Sequence, residues 1–123
     1  MSQNTNTTKQ YDLEDRTLKF TQRVIAFVKK IPANMPNSEI SRQLVRAAGS
    51  VGANYIEANE SLSKKDFVMR VKISKKEAKE SRYWLTLSEV SEKDLVSIAE
   101  KDALIKEDTE LMLIFGAIIN KTV

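Results

Sequence analysis

Apolar residues recur along this chain at helical spacing, in four blocks parted by prolines or short polar runs. From about Asp12 to Ile31, the residues Leu13, Phe20, Val24, Phe27, Val28 and Ile31 share one side of a predicted helix. Pro32 and Pro36 bracket a break, because proline cannot continue a helix and its predecessor avoids the α region. Asn37 is the expected N-cap of a second helix, with Glu39 in its first turn. There Ile40, Leu44, Ala47, Val51, Tyr55, Ala58 and Leu62 follow one another at steps of three or four, a heptad-like seam. Ser63-Lys64-Lys65-Asp66 has the capping-box form and predicts a third helix reaching about Ser88; Ser91-Glu92-Lys93-Asp94 repeats it and predicts a fourth, to about Lys121. The connections are mostly short, so consecutive helices pack antiparallel. The chain therefore reads as all-α: an antiparallel up-down-up-down four-helix bundle over residues 12–121, behind a disordered tail of residues 1–11.

Composition agrees and narrows the chemistry. The 123 residues suit one domain, and 3 Gly with 2 Pro are too few for the turns of an all-β protein. With no Cys, disulfides, thiolate metal sites and cysteine nucleophiles are excluded; with no His, so are a Ser-His-Asp triad, His-ligated zinc and imidazole acid–base chemistry. Glu57-x-x-Glu60, Glu77-x-x-Glu80 and Glu89-x-x-Glu92 resemble carboxylate metal bundles, but those sites need Glu-x-x-His. No catalytic residue, metal or cofactor is expected. The polar N-terminus has no signal-peptide core, and Leu111 to Ile119 is too short to span a bilayer, so a cytoplasmic protein without membrane contact is expected.

Helices two and three carry a recognisable pattern. Gln43-Leu44-Val45-Arg46-Ala47-Ala48-Gly49-Ser50-Val51-Gly52-Ala53-Asn54 leads to Glu57-Ala58 and Ser63-x-x-Asp66-Phe67, then Lys76-Glu77-Ala78-x-Glu80 and Trp84-Leu85. This resembles the four-helix-bundle family of proteins encoded in 23S rRNA intervening sequences, with the accessory variability determinants of diversity-generating retroelements as relatives. The resemblance implies a homopentameric, barrel-like assembly without catalysis. In the retroelement branch it implies contact with RNA or DNA and with a reverse transcriptase through a basic surface.

Charge is distributed by helix. From Lys64 to Arg82 there are eight basic and three acidic residues, a balance of +5; from Glu89 to Glu110 there are three basic and eight acidic, a balance of −5. At 100° per residue, Lys65, Lys72, Lys76 and Lys79 fall on one line about 21 Å long, with Tyr83 among them and Arg82 beside it. These five basic residues are the candidate nucleic-acid contacts. The line is either a phosphate-tracking stripe or a solvated face partly neutralised by the acidic fourth helix. It lacks the aromatic interleaving of a single-strand platform. Non-specific binding of nucleic acid or a nucleoprotein by a non-enzymatic oligomeric module is the leading function; a structural oligomer or protein-binding adaptor without direct nucleic-acid contact, such as a reverse-transcriptase accessory, is the alternative.

Two further groups stand out. Ile73 and Trp84 lie off the core seam of helix three, rimmed by charge, and Leu113 and Phe115 belong to a stretch of helix four with no polar face. All four are candidate subunit contacts, against the alternative that they complete the core. Arg46, Ser50, Asn54 and Glu57 occupy one arc of helix two and form either a polar pocket or a buried network between helices or subunits. Gly49-Ser50-Val51-Gly52 has the GxxG form of a nucleic-acid clamp but lies inside a predicted helix and lacks basic central residues, so close helix approach is the expected role.

Overall fold

The computed structural model describes residues 5–122, with side chains from Leu13 onward. It has four helices: α1 (Thr5–Val28), α2 (Met35–Asn59), α3 (Lys64–Leu87) and α4 (Leu95–Thr122). Each packs on its neighbours in the chain, and α1 closes the ring against α4, as an up-down-up-down bundle requires. Helix α1 begins well ahead of Asp12; the first four residues of the expected tail lie outside those described.

The caps explain where the other helices start. Asn34, not Asn37, caps α2: its side chain accepts from the Asn37 amide at 2.9 Å, and Pro36 sits in the first turn, where no amide hydrogen is needed. Asn37 is instead buried and ties the two linkers together. Its amide donates to Pro32 O at 2.9 Å and Glu89 O at 3.0 Å, and its oxygen accepts from the Glu89 amide at 3.0 Å. Ser63 caps α3 as the pattern predicts, accepting from Asp66 N at 3.1 Å. Helix α4 starts later than expected. Ser91 and the next residues form a turn, and Asp94 takes both the amide and the hydroxyl of Ser97, at 3.0 and 2.7 Å. Those bonds hold its carboxyl below the usual carboxylate range.

Phe20, Val24 and Phe27 of α1, Leu44, Val51 and Tyr55 of α2, Val71, Ala78 and Leu85 of α3, and Leu104, Leu111 and Phe115 of α4 make the core. Across its centre the rings of Tyr55 and Phe115 stand 5.8 Å apart. Leu62, expected to end the α2 seam, lies beyond the helix and is fully exposed. Small residues set the spacing. Ser74 donates to Val51 O at 2.9 Å, and at Gly52 a Cβ would stand 2.9 Å from Thr17 Oγ1, so α1 approaches α2 closely there. Gly49 faces open space.

Candidate nucleic-acid interface

Helix α3 turns Val71, Ser74, Ala78, Ser81 and Leu85 inward, which sends Lys65, Lys72, Lys76 and Lys79 outward; all four are exposed. Lys64 and Lys75 are exposed beside them, two residues missed by a line drawn one lysine wide. Lys75 reaches sideways over α4, where a Cβ at Gly116 would stand 3.4 Å from its Nζ. Arg82 departs from expectation. It is half-buried against α4, its Nη1 donating to Thr109 Oγ1 at 3.5 Å, and so braces two helices rather than extending the line. Its position on the α3 helical wheel, rotated toward α4, is the reason.

Asp66 lies exposed beside Lys64, Lys65 and Lys72 at the start of α3, but the other two acids of α3 are engaged elsewhere. Arg46 of α2 takes Glu77 at 3.4 Å and also Glu80, the two acids on the α2 side of α3. On the far side of α4, Arg16 of α1 grips Glu107 through two bonds of 2.7 Å and reaches Glu110 at 3.0 Å. Arg23 grips Glu100 at 2.9 and 3.1 Å. The carboxylate bonds raise both α1 guanidinium pKa values, despite opposing partial burial. Among the described residues none of Lys64, Lys65, Lys72, Lys75, Lys76 and Lys79 has an ion-pair partner. The α4 carboxylates that form ion pairs among the described residues, Glu100, Glu107 and Glu110, pair with arginines of α1 and not with lysines of α3.

The polar arc of α2 is not a buried network. Arg46 is exposed and Glu57 points to solvent. Asn54 donates to Ser50 O at 2.9 Å and accepts from Arg70 at 3.0 Å, so the arc makes two separate links to α3. The four expected subunit contacts also divide. Phe115 is fully buried in the bundle's own core, because it shares the inward face of α4 with Leu104 and Leu111. Leu113 stays 69% exposed. Ile73 and Trp84 are half-buried; Trp84 packs on the core's edge and donates its indole N–H to Glu80 at 3.3 Å.

One buried group escaped the sequence reading. Asp108 of α4 is fully buried, and neither carboxyl oxygen has a hydrogen-bond partner. Burial pushes its pKa up to about 8, opposed by Arg82 and reinforced by Glu107. A groove of about 630 Å³ between the end of α1 and the start of α4 is lined by Ala26, Phe27, Leu95, Val96 and Ala99. Its charged members are Lys30 and Glu100, the latter held by Arg23. Among the described residues no cluster of carboxylates could hold a metal, and no helix is long and apolar enough to cross a membrane.

The sequence model of the 23S rRNA-intervening sequence proteins matches residues 9–115. The chain belongs to that family. A crystal structure at 1.70 Å of a protein with unknown function from the S23 ribosomal protein family, from Bacteroides thetaiotaomicron, is similar to this family member with a TM-score of 0.70 at 28% identity. The match covers 87% of this chain and 97% of that one. Comparison with curated proteins gives no match.

Proposed function

We propose that this family member is a non-enzymatic, self-associating helical module that binds nucleic acid through the lysine face of α3. The observation that carries the reading is the partition of charge: among the described residues, five inter-helix ion pairs occupy Glu77, Glu80, Glu100, Glu107 and Glu110, and all of them use arginines outside the lysine face. A solvated face needs no such separation, whereas a phosphate-tracking face gains from keeping its cations unpaired. Lysine contacts to phosphate carry no donor–acceptor code, so binding is non-specific in sequence. A closed assembly, as the resemblance to retroelement accessory determinants implies, repeats the lysine line on each subunit and so multiplies weak contacts.

Fluorescence anisotropy with a labelled polyuridylate strand tests the binding. Lys72→Glu/Lys76→Glu should abolish it, and wild-type affinity should fall with salt at a slope of about −0.7 per neutralised phosphate. Equal binding by both proteins at low salt, or none by either, overturns the reading. Self-association is supported by exposed Leu113 on α4 and by Leu18, Ile25 and Ile56 on α1 and α2, which remain open to solvent in one bundle. Light scattering should give a multiple of the 14.0 kDa subunit, five by family resemblance, and Trp84→Ala should lower it without loss of helicity. A monomer refutes it.

A further inference from the structure

The lysine line ends at an aromatic ring. Tyr83 lies on the same outward arc of α3 as Lys65, Lys72 and Lys76, and it is 60% exposed. Lys72, Lys76 and Lys79 precede it at steps of three or four residues, so cation follows cation by about one helical turn of 5.4 Å until the ring is reached. The ring is braced. Trp84 meets it edge-on, with centroids 5.0 Å apart and planes at 75°. Trp84 in turn packs on the core and donates to Glu80, which Arg46 holds from α2. A chain of contacts thus runs from the bundle interior to a ring that is itself left largely uncovered. Exposed Met69 and Leu87 border the same arc.

An exposed ring among unpaired lysines favours a polyanion that has free base faces. In a duplex each base is stacked on its neighbours and offers the ring nothing; in a single strand a base can stack on it while the adjoining phosphates reach lysines. The sequence pattern, showing one aromatic on the line, lacks a multi-base platform; one braced ring is enough to seat one base.

We propose that the α3 face takes single-stranded nucleic acid, with an unpaired base stacked on Tyr83 and neighbouring phosphates on Lys79 and Lys76. This rests on the nucleic-acid reading given above and adds the class of strand and a contact that lysines alone cannot supply.

The test compares polyuridylate, polydeoxyuridylate and a duplex of equal length, for wild type, Tyr83→Ala and Tyr83→Phe. Wild type should prefer either single strand to the duplex. Tyr83→Ala should weaken single-strand binding about tenfold and leave duplex binding unchanged, while Tyr83→Phe, which keeps the ring, should bind as wild type does. Trp84 is the sole tryptophan and touches the Tyr83 ring, so its emission should change on adding either strand and not on adding the duplex. A preference for polyuridylate over polydeoxyuridylate, which differs from it only in the 2′-hydroxyl, would add a 2′-hydroxyl contact and support an RNA strand; equal affinity of the two supports a strand read only through phosphate and base. Because Tyr83 is on the surface, circular dichroism of Tyr83→Ala should match wild type. If Tyr83→Ala binds strands as tightly as wild type while Lys72→Glu/Lys76→Glu does not bind, the stacking contact is refuted and the lysine face stands. If the duplex competes as well as the strands, the single-strand assignment is refuted.

Discussion

Replacing Asp108 by Asn is expected to flatten the dependence of stability on pH between about 4 and 8. Asp108 is fully buried with both oxygens unpartnered, and its pKa stands near 8 against an ordinary 3.8. Arg82 on α3 pulls the value down and Glu107 on α4 pushes it up, although Arg16 of α1 already pairs with that glutamate. Between the two pKa values the folded chain keeps the Asp108 proton and the unfolded chain has released it. The unfolded state then binds fewer protons, so stability falls as pH rises and levels off only above the folded value. At about 1.4 kcal/mol per pKa unit, the loss reaches about 4 kcal/mol by pH 7. This is a ceiling, since any opening that admits water to the carboxylate shrinks it. Asparagine keeps the shape and a polar head but cannot ionise, so its advantage over aspartate should be small near pH 4 and grow toward pH 8. The chain has no His, so no other side chain ordinarily titrates in the upper part of this window, and the slope can be assigned. Urea unfolding followed by helicity across the pH range reads it directly. A flat wild-type profile would show that the folded carboxylate ionises as readily as the unfolded one, and a slope that survives in Asp108→Asn would show that another group sets it; either result would refute the reasoning.

Other substitutions test the packing. Gly52→Ala places a methyl 2.9 Å from Thr17 Oγ1 and should cost about 1–3 kcal/mol in urea unfolding, whereas Gly49→Ala meets nothing within 4 Å and should stabilise α2 by about 0.5–1 kcal/mol. Arg46→Ala should cost about 1 kcal/mol or less, because its side chain is half exposed, and a larger loss in thermal unfolding would contradict that exposure. Asn37→Ala removes three bonds that join the α1–α2 and α3–α4 linkers and should cost about 1–3 kcal/mol, with faster amide exchange at Glu89 as the local signature.

The number of helices, their order and the α3 cap are legible from periodicity and from Ser63-x-x-Asp66, because both depend on residues close in sequence. The other caps were ambiguous for a local reason. Asn34 and Asn37 flank a proline that a first turn tolerates, and Ser91 and Asp94 are both competent acceptors, so only the path of the linker decides between them. A helical wheel also gives the angle of a side chain without naming its neighbour. On the wheel Arg46 shares an arc with Glu57, yet its length carries it across to Glu77 and Glu80. The apolar end of α4 has no polar face in sequence, yet Leu111 and Phe115 are buried and Met112, Ile114, Ile118 and Ile119 half-covered by the bundle itself, leaving Leu113 exposed. Asp108 was hidden by its company, between Glu107 and Thr109 in a charged run. The signal was present: it is four residues after Leu104 and three before Leu111, both core residues.

The division of labour between arginine and lysine links this fold to its proposed role. Every inter-helix ion pair among the described residues uses arginine: Arg16 and Arg23 join α1 to α4, and Arg46 joins α2 to α3. The planar guanidinium fork can bond a carboxylate with two parallel donors, as Arg16 does with Glu107 and Arg23 with Glu100, so it loses less freedom per bond than an ammonium on a flexible stem. Lysine is used inside the bundle once in this sense, where Lys101 donates to Thr86 O and Ser88 O at the end of α3, a place where a compact cation suits unsatisfied carbonyls. The α3 lysines are left exposed and outside any ion pair among the described residues, so they can exchange water and counterions for phosphate without breaking a bond in the bundle. It follows that exchanging the roles should separate structure from binding. Arg23→Lys should weaken the α1–α4 seam while leaving nucleic-acid affinity intact, and Lys72→Arg should preserve both, since phosphate accepts either cation. A loss of binding in Arg23→Lys with helicity unchanged would show that the α1 arginines, and not the α3 face alone, meet the ligand.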